Sequence, residues 1–185
     1  MEVDQQTIDG LVSDAQRGDT ASVGRLFDLL FDRVYRYVRF RVHGDDDAED
    51  LTQIVFLEMI RSLPRYKQQE GVRFTTWLFQ IARFRLIDHY RAARQDVTLD
   101  PELADTQPQL QATPRDFAAL GSGEAIDRAL AALPEQYQTV LHLRYREDCT
   151  TQEIAAVLDT TEGNVRVLQY RALNTLRDQL DLEKL

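Results

Sequence analysis

Apolar residues recur at helical spacing along most of the chain, with one interruption. The periodic segments are residues 21–42, 48–63, 74–94 and 124–133, with further helical patterning as far as residue 176. No alternating pattern of useful length indicates a strand. Residues 96–123 lose the periodicity and carry three prolines and two glycines, as is typical of a linker with room for a short helix. The sequence therefore predicts an all-α protein, with helical domains over 1–95 and 124–185 and a flexible acidic linker over 96–123.

The segment 150–176 predicts two short helices joined by a tight turn. Thr150 and Glu153 have the spacing of a capping box, in which the hydroxyl and the carboxylate each accept a hydrogen bond from a backbone N–H left unpaired at a helix start. The first helix should therefore begin near Thr151. A polar run over 159–161 interrupts the apolar pattern and predicts the turn.

The second helix of this segment has two chemically different faces. Thr160 or Thr161 can cap it. Its apolar stripe consists of Val165, Leu168, Ala172 and Leu176. Its other face carries Arg166, Val167, Tyr170, Arg171 and Asn174. Side chains of these kinds contact phosphates and base edges in a major groove, which predicts a DNA-binding helix-turn-helix. The alternative is a helix pair in an ordinary bundle whose charged face is simply solvated, and this segment alone leaves both open.

The charge distribution bears on whether the chain could bind DNA by itself. The net charge is −9, whereas DNA affinity depends on cations that contact phosphates. Residues 61–94, however, carry eight Arg and Lys against two acids, and residues 95–124 carry six acids against one Arg. A chain polarised in this way should bind free DNA weakly, and better when a larger partner supplies further cationic contacts.

A second candidate nucleic-acid surface lies in residues 73–94. Aromatic side chains are interleaved there with arginines: Phe74, Trp77, Phe79, Phe84 and Tyr90 with Arg73, Arg83, Arg85, Arg91 and Arg94. Aromatic rings can stack on unpaired bases while arginines hold the backbone, as single-stranded nucleic acid requires. Trp77 also has core spacing with Leu78, Ile81 and Ala82, so packing is an equally valid interpretation of that ring.

Three segments together resemble bacterial RNA polymerase sigma factors of group IV, the extracytoplasmic-function family. They are DAEDLTQIVFL at 47–57, FTTWLFQIAR at 74–83 and LPEQYQTVLHLRYREDCTTQEIAAVLDTTEGNVRVLQYRAL at 133–173. Their order and spacing match nearly the whole chain, and only the linker is unmatched. Three linked motifs are far more specific than one helix-turn-helix.

The resemblance implies a role for each domain. In that family the first domain, sigma region 2, docks on the clamp helices of the polymerase largest subunit, here through Asp47, Asp50, Leu51, Gln53 and Phe56. The segment after it opens the minus-10 element and captures its unstacked bases, here with Arg73, Phe74, Trp77, Arg83, Phe84, Arg85, Asp88 and Arg91. The second domain, region 4, sits on the polymerase flap and reads the minus-35 element, here with Asn164, Arg166, Val167, Tyr170 and Arg171.

The same resemblance implies the partners. They are core RNA polymerase, promoter DNA and an anti-sigma factor that covers the clamp or minus-35 surface. No cofactor, metal or small-molecule substrate is expected. Because no apolar run reaches the roughly 20 residues of a membrane span and the amino terminus lacks a signal-peptide pattern, we expect a cytoplasmic protein that an anti-sigma factor can hold at the membrane.

Three positions depart from the family pattern. Phe84 stands where many relatives have Asn, so stacking or packing should replace amide readout there. Asp159 stands where the turn often has Gly, and Asp tolerates a left-handed conformation at some cost. Ile54 replaces a common acid and either alters the clamp contact or joins the core.

Two other functional classes explain the sequence less well. An ordinary helix-turn-helix regulator would bind duplex DNA alone and would leave residues 47–94 without a role. An enzyme would need a nucleophile or phosphate-cradling motif, and the three histidines lie far apart in sequence. An EF-hand loop starting at Asp45 would need Gly at Asp50 and a carboxylate at Phe56, which excludes it.

Overall fold

The computed structural model describes residues 4–42, 44–95 and 124–182. The described residues form helices and no strands. The helices are α1 (Gln5–Gln16), α2 (Thr20–Arg39), α3 (Asp45–Ser62), α4 (Phe74–Gln95), α5 (Glu124–Ala131), α6 (Glu135–Tyr145), α7 (Thr151–Leu158) and α8 (Glu162–Leu182), with a 3-10 turn at Leu63–Arg65. The predicted all-α class is confirmed. The predicted linker, 96–123, lies outside the described residues, and so does the short helix considered for it.

Helix α1 is the element that the periodicity did not predict. Asp4 caps it by accepting a hydrogen bond from the Gln6 backbone N–H at 3.3 Å. Its buried face contains only Ile8, Leu11 and Val12. Three apolar residues in an otherwise polar segment give a weak periodic signal, because a reliable amphipathic stripe needs several turns.

The predicted caps of the carboxy-terminal helices are present. The Thr150 hydroxyl accepts from the Glu153 backbone N–H at 3.2 Å, and Glu153 Oε2 accepts from the Thr150 N–H at 2.8 Å. Thr161 caps α8 by accepting from the Asn164 N–H at 3.2 Å. Pro134 occupies the cap position of α6.

Asp159 ends α7 in the left-handed region, with φ 52° and ψ 55°. The left-handed conformation expected at this non-glycine turn position is therefore the one adopted. The turn places α8 across α7, and Val165 and Leu168 pack on the same core as Ile154 and Leu158.

The two helical modules share one hydrophobic core. We call residues 4–95 the amino-terminal module and residues 124–182 the carboxy-terminal module. Leu26, Val38 and Phe79 of the first are buried in the same cluster as Leu143 and Ile154 of the second. The carboxy-terminal module therefore packs directly against α2 and α4, an arrangement that the apolar pattern did not predict.

Candidate nucleic-acid interface

The residues predicted to read the minus-35 element lie together on the exposed side of α8. Asn164 and Arg171 are exposed, Val167 is 44% exposed and Tyr170 is 70% exposed. Arg166 is also exposed and lies 3.4 Å from Glu162 in an i,i+4 ion pair, which contributes little because both side chains are solvated. Successive turns of one helix thus present two guanidinium groups, an amide and a phenol to solvent.

The residues predicted to read the minus-10 element divide into an exposed half and a covered half. The exposed half is the middle of α4, where Phe84 is 58% exposed and Asp88 and Arg91 face solvent. Arg85 lies beside them, paired with Glu58 at 2.9 Å.

The covered half runs from Arg73 to Arg83, where the two aromatic residues pack within the amino-terminal module and the two arginines contact the carboxy-terminal module. Phe74 is fully buried, and Trp77 is half-buried against Tyr66 and Phe74, with ring centroids 4.7 and 5.3 Å away. Arg83 forms an ion pair with Glu135 of α6 at 3.4 Å. In this state Trp77 packs against its own module.

Glu153 joins the two modules at the start of α4. Its carboxylate accepts from Arg73 Nε at 2.7 Å and from Arg73 Nη2 at 2.9 Å, and also from the Thr76 hydroxyl at 2.8 Å. Burial alone would raise the pKa of Glu153, but the hydrogen bonds from Arg73, Thr150 and Thr76 outweigh it and lower the pKa to about 2. The same side chain completes the capping box of α7, so one carboxylate both starts the helix-turn-helix and binds the amino-terminal module.

A second ionic cluster joins α2 to the turn after α6. Arg33 donates to Glu147 Oε2 through Nε at 2.7 Å, and His142 Nε2 lies 3.6 Å from the other oxygen of Glu147. Burial lowers the pKa of His142 to about 4, so the imidazole is neutral at pH 7. Tyr37 packs edge-on against that imidazole at 5.1 Å, and its hydroxyl lies 3.3 Å from the Thr139 hydroxyl.

The residues predicted to contact the polymerase clamp lie on α3, and they separate by burial. Asp47, Asp50 and Gln53 are exposed. Leu51 and Phe56 are only 5% and 2% exposed, and both belong to the core cluster. They support the surface from beneath instead of presenting side chains to a partner.

Three exposed apolar residues on α3, Ile54, Leu57 and Ile60, were not among the predicted contacts. Ile54 is 45% exposed and Leu57 is 53% exposed, so Ile54 does not join the core. With Asp47, Asp50 and Arg61 they follow one stripe at i,i+3 and i,i+4 spacing. The signal for them in the sequence was three large apolar side chains at three-residue spacing, outside the stripe that builds the core. An exposed apolar stripe edged by charges is typical of a protein contact surface.

The structure also contains an apolar groove that the sequence did not predict. It is a cavity of about 190 Å³ whose lining includes Leu130, Leu141, Tyr145, Leu173 and Leu176. These residues come from α5, α6 and α8, so the groove exists only once the three helices are packed. Arg41, two residues after the end of α2, lies along its other side.

Other classes of site find no support among the described residues. No group of three or more His, Cys, Asp or Glu there is placed to hold a metal ion. Cys149 is buried, and burial raises the pKa of its thiol to about 12, which keeps it protonated and unreactive. Within the described parts of the chain no helix is long and apolar enough to cross a membrane.

Comparison with known proteins agrees with this arrangement of helices. Residues 26–95 match the family model for sigma-70 region 2, and residues 123–176 match the model for sigma-70 region 4. The sigma factor SigD of Mycobacterium tuberculosis is 31% identical over 97% of the chain and 87% of its own length. The chain belongs to the extracytoplasmic-function family of RNA polymerase sigma factors. The first module thus contains sigma region 2, and the second contains region 4.

Two further relatives place this sigma factor in context. The sigma factor BldN of Streptomyces coelicolor is 36% identical over 90% of the chain, which spans 63% of that relative's length. The structure of the sigma factor RpoE from Bartonella quintana in complex with the anti-sigma factor NepR has a TM-score of 0.66 at 19% identity, covering 85% of this chain and 96% of the other. The likeness to RpoE concerns the fold.

Proposed function

We propose that this sigma factor binds core RNA polymerase and directs it to promoters by reading two DNA elements with two modules. Region 4 reads the minus-35 duplex through α8, and region 2 opens and captures the minus-10 element through α4. The observation that carries the proposal is the pairing of an exposed recognition helix with a second helix rich in arginine and aromatic side chains, in a chain with both sigma region matches.

The solvent-exposed face of α8 makes the proposed minus-35 contacts. Arg166 and Arg171 can each donate two parallel hydrogen bonds to a guanine edge or hold a phosphate, with Asn164 able to pair with an adenine edge. Val167 and Tyr170 add apolar contact with thymine methyl groups. Each of these side chains is already solvent-exposed. Only two local contacts, Arg166 with Glu162 and Asn164 with the Thr160 hydroxyl, have to break when α8 enters a major groove.

The minus-10 contacts fall to α4. Phe84, Arg85 and Arg91 are accessible, and the exposed Phe84 ring supports stacking on an unpaired base in place of amide readout. Each captured base contributes about 1 to 3 kcal/mol by stacking, whereas each opened base step costs about 1.4 kcal/mol. Capture of a few bases therefore stabilises the open promoter without any chemical step in the sigma chain.

The exposed stripe of α3 makes the proposed contact with the polymerase clamp. Ile54 and Leu57 would bury apolar surface against the clamp helices, and Asp47, Asp50 and Gln53 would supply the charged and polar edge. The apolar groove between α5, α6 and α8 is the candidate seat for the flap. Core polymerase would thus supply most of the affinity for promoter DNA, because a chain with a net charge of −9 binds phosphates weakly by itself.

An anti-sigma factor is the proposed regulator. The complex of RpoE with the anti-sigma factor NepR supports this partner by likeness of fold. The clamp stripe on α3 and the exposed face of α8 are the two surfaces whose coverage would prevent transcription. A membrane-bound anti-sigma factor would hold the otherwise cytoplasmic chain at the membrane.

In vitro transcription tests this function. Core RNA polymerase, the purified chain and a promoter library with randomised minus-35 and minus-10 positions should yield transcripts that depend on the chain and share two sequence elements. The double variant Arg166→Ala/Arg171→Ala should remove the minus-35 preference, and Arg177→Ala, which alters an exposed arginine near the end of the same helix, should not. Tight specific binding of duplex DNA by the chain alone would instead identify an ordinary helix-turn-helix regulator.

A further inference from the structure

The apolar groove between α5, α6 and α8 has a positively charged wall. Arg41 lines it from the turn that follows α2, and Arg146 lines it from the position just after α6. No Asp or Glu among the described residues lines the groove. The rest of the lining is mainly apolar and includes Leu130, Leu141, Leu173 and Leu176. The groove thus combines an apolar pocket with two guanidinium groups.

Arg41 is a buried cation whose hydrogen-bonding capacity is only partly used. It is 4% exposed, and its guanidinium lies over the Tyr37 ring, 3.9 Å from the ring centroid. Nη1 donates to the Tyr37 carbonyl at 2.6 Å, and Nη2 donates to the Thr139 hydroxyl at 3.4 Å. Nε is buried without an acceptor among the described residues, and Arg41 forms no ion pair with any of them. Because a buried charge without a counter-charge is unfavourable, this wall favours an anion.

Arg146 adds a second positive charge beside the groove, and its side chain is exposed. Burial is the main reason that the pKa of His142 falls to about 4, and the positive charges of Arg41 and Arg146 lower that pKa further. Glu147, which contacts the same imidazole, is itself paired with Arg33. The groove wall is therefore a region of positive potential at pH 7.

The size of the groove suits a small molecule. Its volume is about 190 Å³. An apolar cavity of about 150 Å³ binds one benzene molecule, so this groove has room for about six to eight carbon atoms. A helix from a protein partner would instead place side chains from several turns along a longer groove. The enclosed space thus fits a single apolar group.

Hydrogen bonds outside the pocket hold the groove in shape. Gln138 Nε2 donates to the carbonyls of Ala131 and Leu133 at 3.0 and 2.8 Å, which fixes the end of α5 against α6. The Tyr145 hydroxyl accepts from Gln169 Nε2 at 3.2 Å, which ties α6 to α8. A pocket formed before binding loses little conformational entropy when a ligand enters it.

We propose that this groove binds a small amphipathic carboxylate, with its apolar body between α5, α6 and α8 and its carboxylate against Arg41 and Arg146. The planar donors of a guanidinium match the two oxygens of a carboxylate. Binding by the free chain does not depend on the proposed function. It adds a consequence for that function, because the same groove is the candidate seat for the flap and the two occupants would compete.

An NMR titration of the full chain, labelled at its leucine methyl groups, tests the proposal with octanoate. The methyl signals of Leu141, Leu173 and Leu176 should shift, whereas those of Leu57 on α3 should not. Octanoate should bind with a Kd of about 1 mM or tighter. Octan-1-ol keeps the chain without the charge, and acetate keeps the charge without the chain, so each should bind at least about tenfold more weakly. Equal affinity for octanoate and octan-1-ol, or no shift with octanoate, would overturn the proposal.

Two variants locate the site. Arg146→Gln removes the exposed cation and should weaken octanoate binding about threefold. Leu173→Trp should fill the groove and abolish binding, and the fold should tolerate it because Leu173 is 41% exposed. Arg25→Gln is the matched control, since it removes an exposed arginine of α2 about 20 Å from Arg41 and should bind octanoate normally. The melting temperature of each variant without ligand verifies that it is folded. Unchanged octanoate affinity in either Arg146→Gln or Leu173→Trp would place binding elsewhere and overturn the proposal.

Discussion

Arg73 and Glu153 lie 80 positions apart in the chain and form a two-pronged ion pair, with Nε to Oε1 at 2.7 Å and Nη2 to Oε2 at 2.9 Å. Arg73 stands at the start of the helix proposed to open promoters, and Glu153 stands at the start of the helix-turn-helix. One carboxylate therefore joins the two modules in this structure.

The first prediction concerns minus-35 recognition. Arg171→Ala should cost about 1 to 3 kcal/mol of discrimination at one minus-35 position if Arg171 donates to a base edge. Arg177→Ala is the matched control, because it removes an exposed arginine from the last turns of the same helix. Transcription from promoters with each single minus-35 substitution measures the effect. Equal selectivity in the two variants would remove Arg171 from the base-reading residues.

The second prediction concerns base capture by Phe84. Because its ring is 58% exposed, Phe84→Ala should leave the melting temperature unchanged while lowering transcription from duplex promoters about tenfold, the effect of losing one stacked base. The loss should be smaller on templates already melted over the minus-10 element. Phe84→Tyr keeps a stacking ring and should retain activity. A loss of the same size on melted and duplex templates would argue against a role in opening.

The third prediction concerns the clamp contact. Leu57→Glu should weaken binding of core polymerase at least tenfold, because the contact would bury an unpaired carboxylate. Leu57 is 53% exposed, so the fold should tolerate the change. Gln6→Glu is the control, since Gln6 is exposed on α1 and gains the same carboxylate outside the α3 stripe. Affinity is measured by fluorescence anisotropy of labelled chain against core polymerase.

Local features of this sigma factor could be predicted from its sequence because they depend on neighbouring residues. The helix-turn-helix, its capping box and the exposure of Arg166 and Tyr170 follow from spacing of three to four residues. The left-handed Asp159 followed from a turn position that usually needs glycine. A preference of this kind depends on only a few neighbouring residues, so it holds in almost any tertiary structure.

Features that depend on distant residues could not be predicted. Leu51 and Phe56 match the family pattern for the clamp segment, yet the packing of Phe27 and Phe31 against Phe56 places that ring in the core. The ion pair of Arg73 with Glu153 could not be predicted either. The spacing of Glu153 from Thr150 already explained that carboxylate as part of a capping box. Two residues that contact each other from opposite sides of a linker produce no periodic pattern in a single sequence.

The fourth prediction concerns the turn between α7 and α8. Asp159 adopts φ 52°, where a side chain costs about 1 kcal/mol relative to glycine. Asp159→Gly should therefore stabilise the chain and raise its melting temperature by about 2 to 4 °C. Asp159→Ala keeps the Cβ atom, loses the polar side chain and should lower the melting temperature. Thermal unfolding followed by circular dichroism at pH 7 measures both, and a lower melting temperature for the glycine variant would contradict the argument.

The fifth prediction concerns acid sensitivity at the interface between the modules. Burial lowers the pKa of His142 from 6.5 to about 4, with Glu147 opposing the shift and Arg41 adding to it. The unfolded chain therefore binds a proton at higher pH than the folded chain, so this contribution to stability is complete above pH 6.5 and is lost as the pH falls towards 4. Between pH 7.5 and 5 the loss should be about 2 kcal/mol.

The variant His142→Gln isolates this contribution, because glutamine is of similar size and does not titrate. Urea unfolding midpoints, measured at intervals from pH 7.5 to 5, should fall with pH in the natural chain and change much less in the variant. The pH range lies above the pKa of Glu153, about 2, so the ion pair with Arg73 stays intact throughout. Parallel pH profiles for the two proteins would show that His142 is not the titrating group. Divergent profiles would assign the acid sensitivity of this sigma factor to the contact between its two modules.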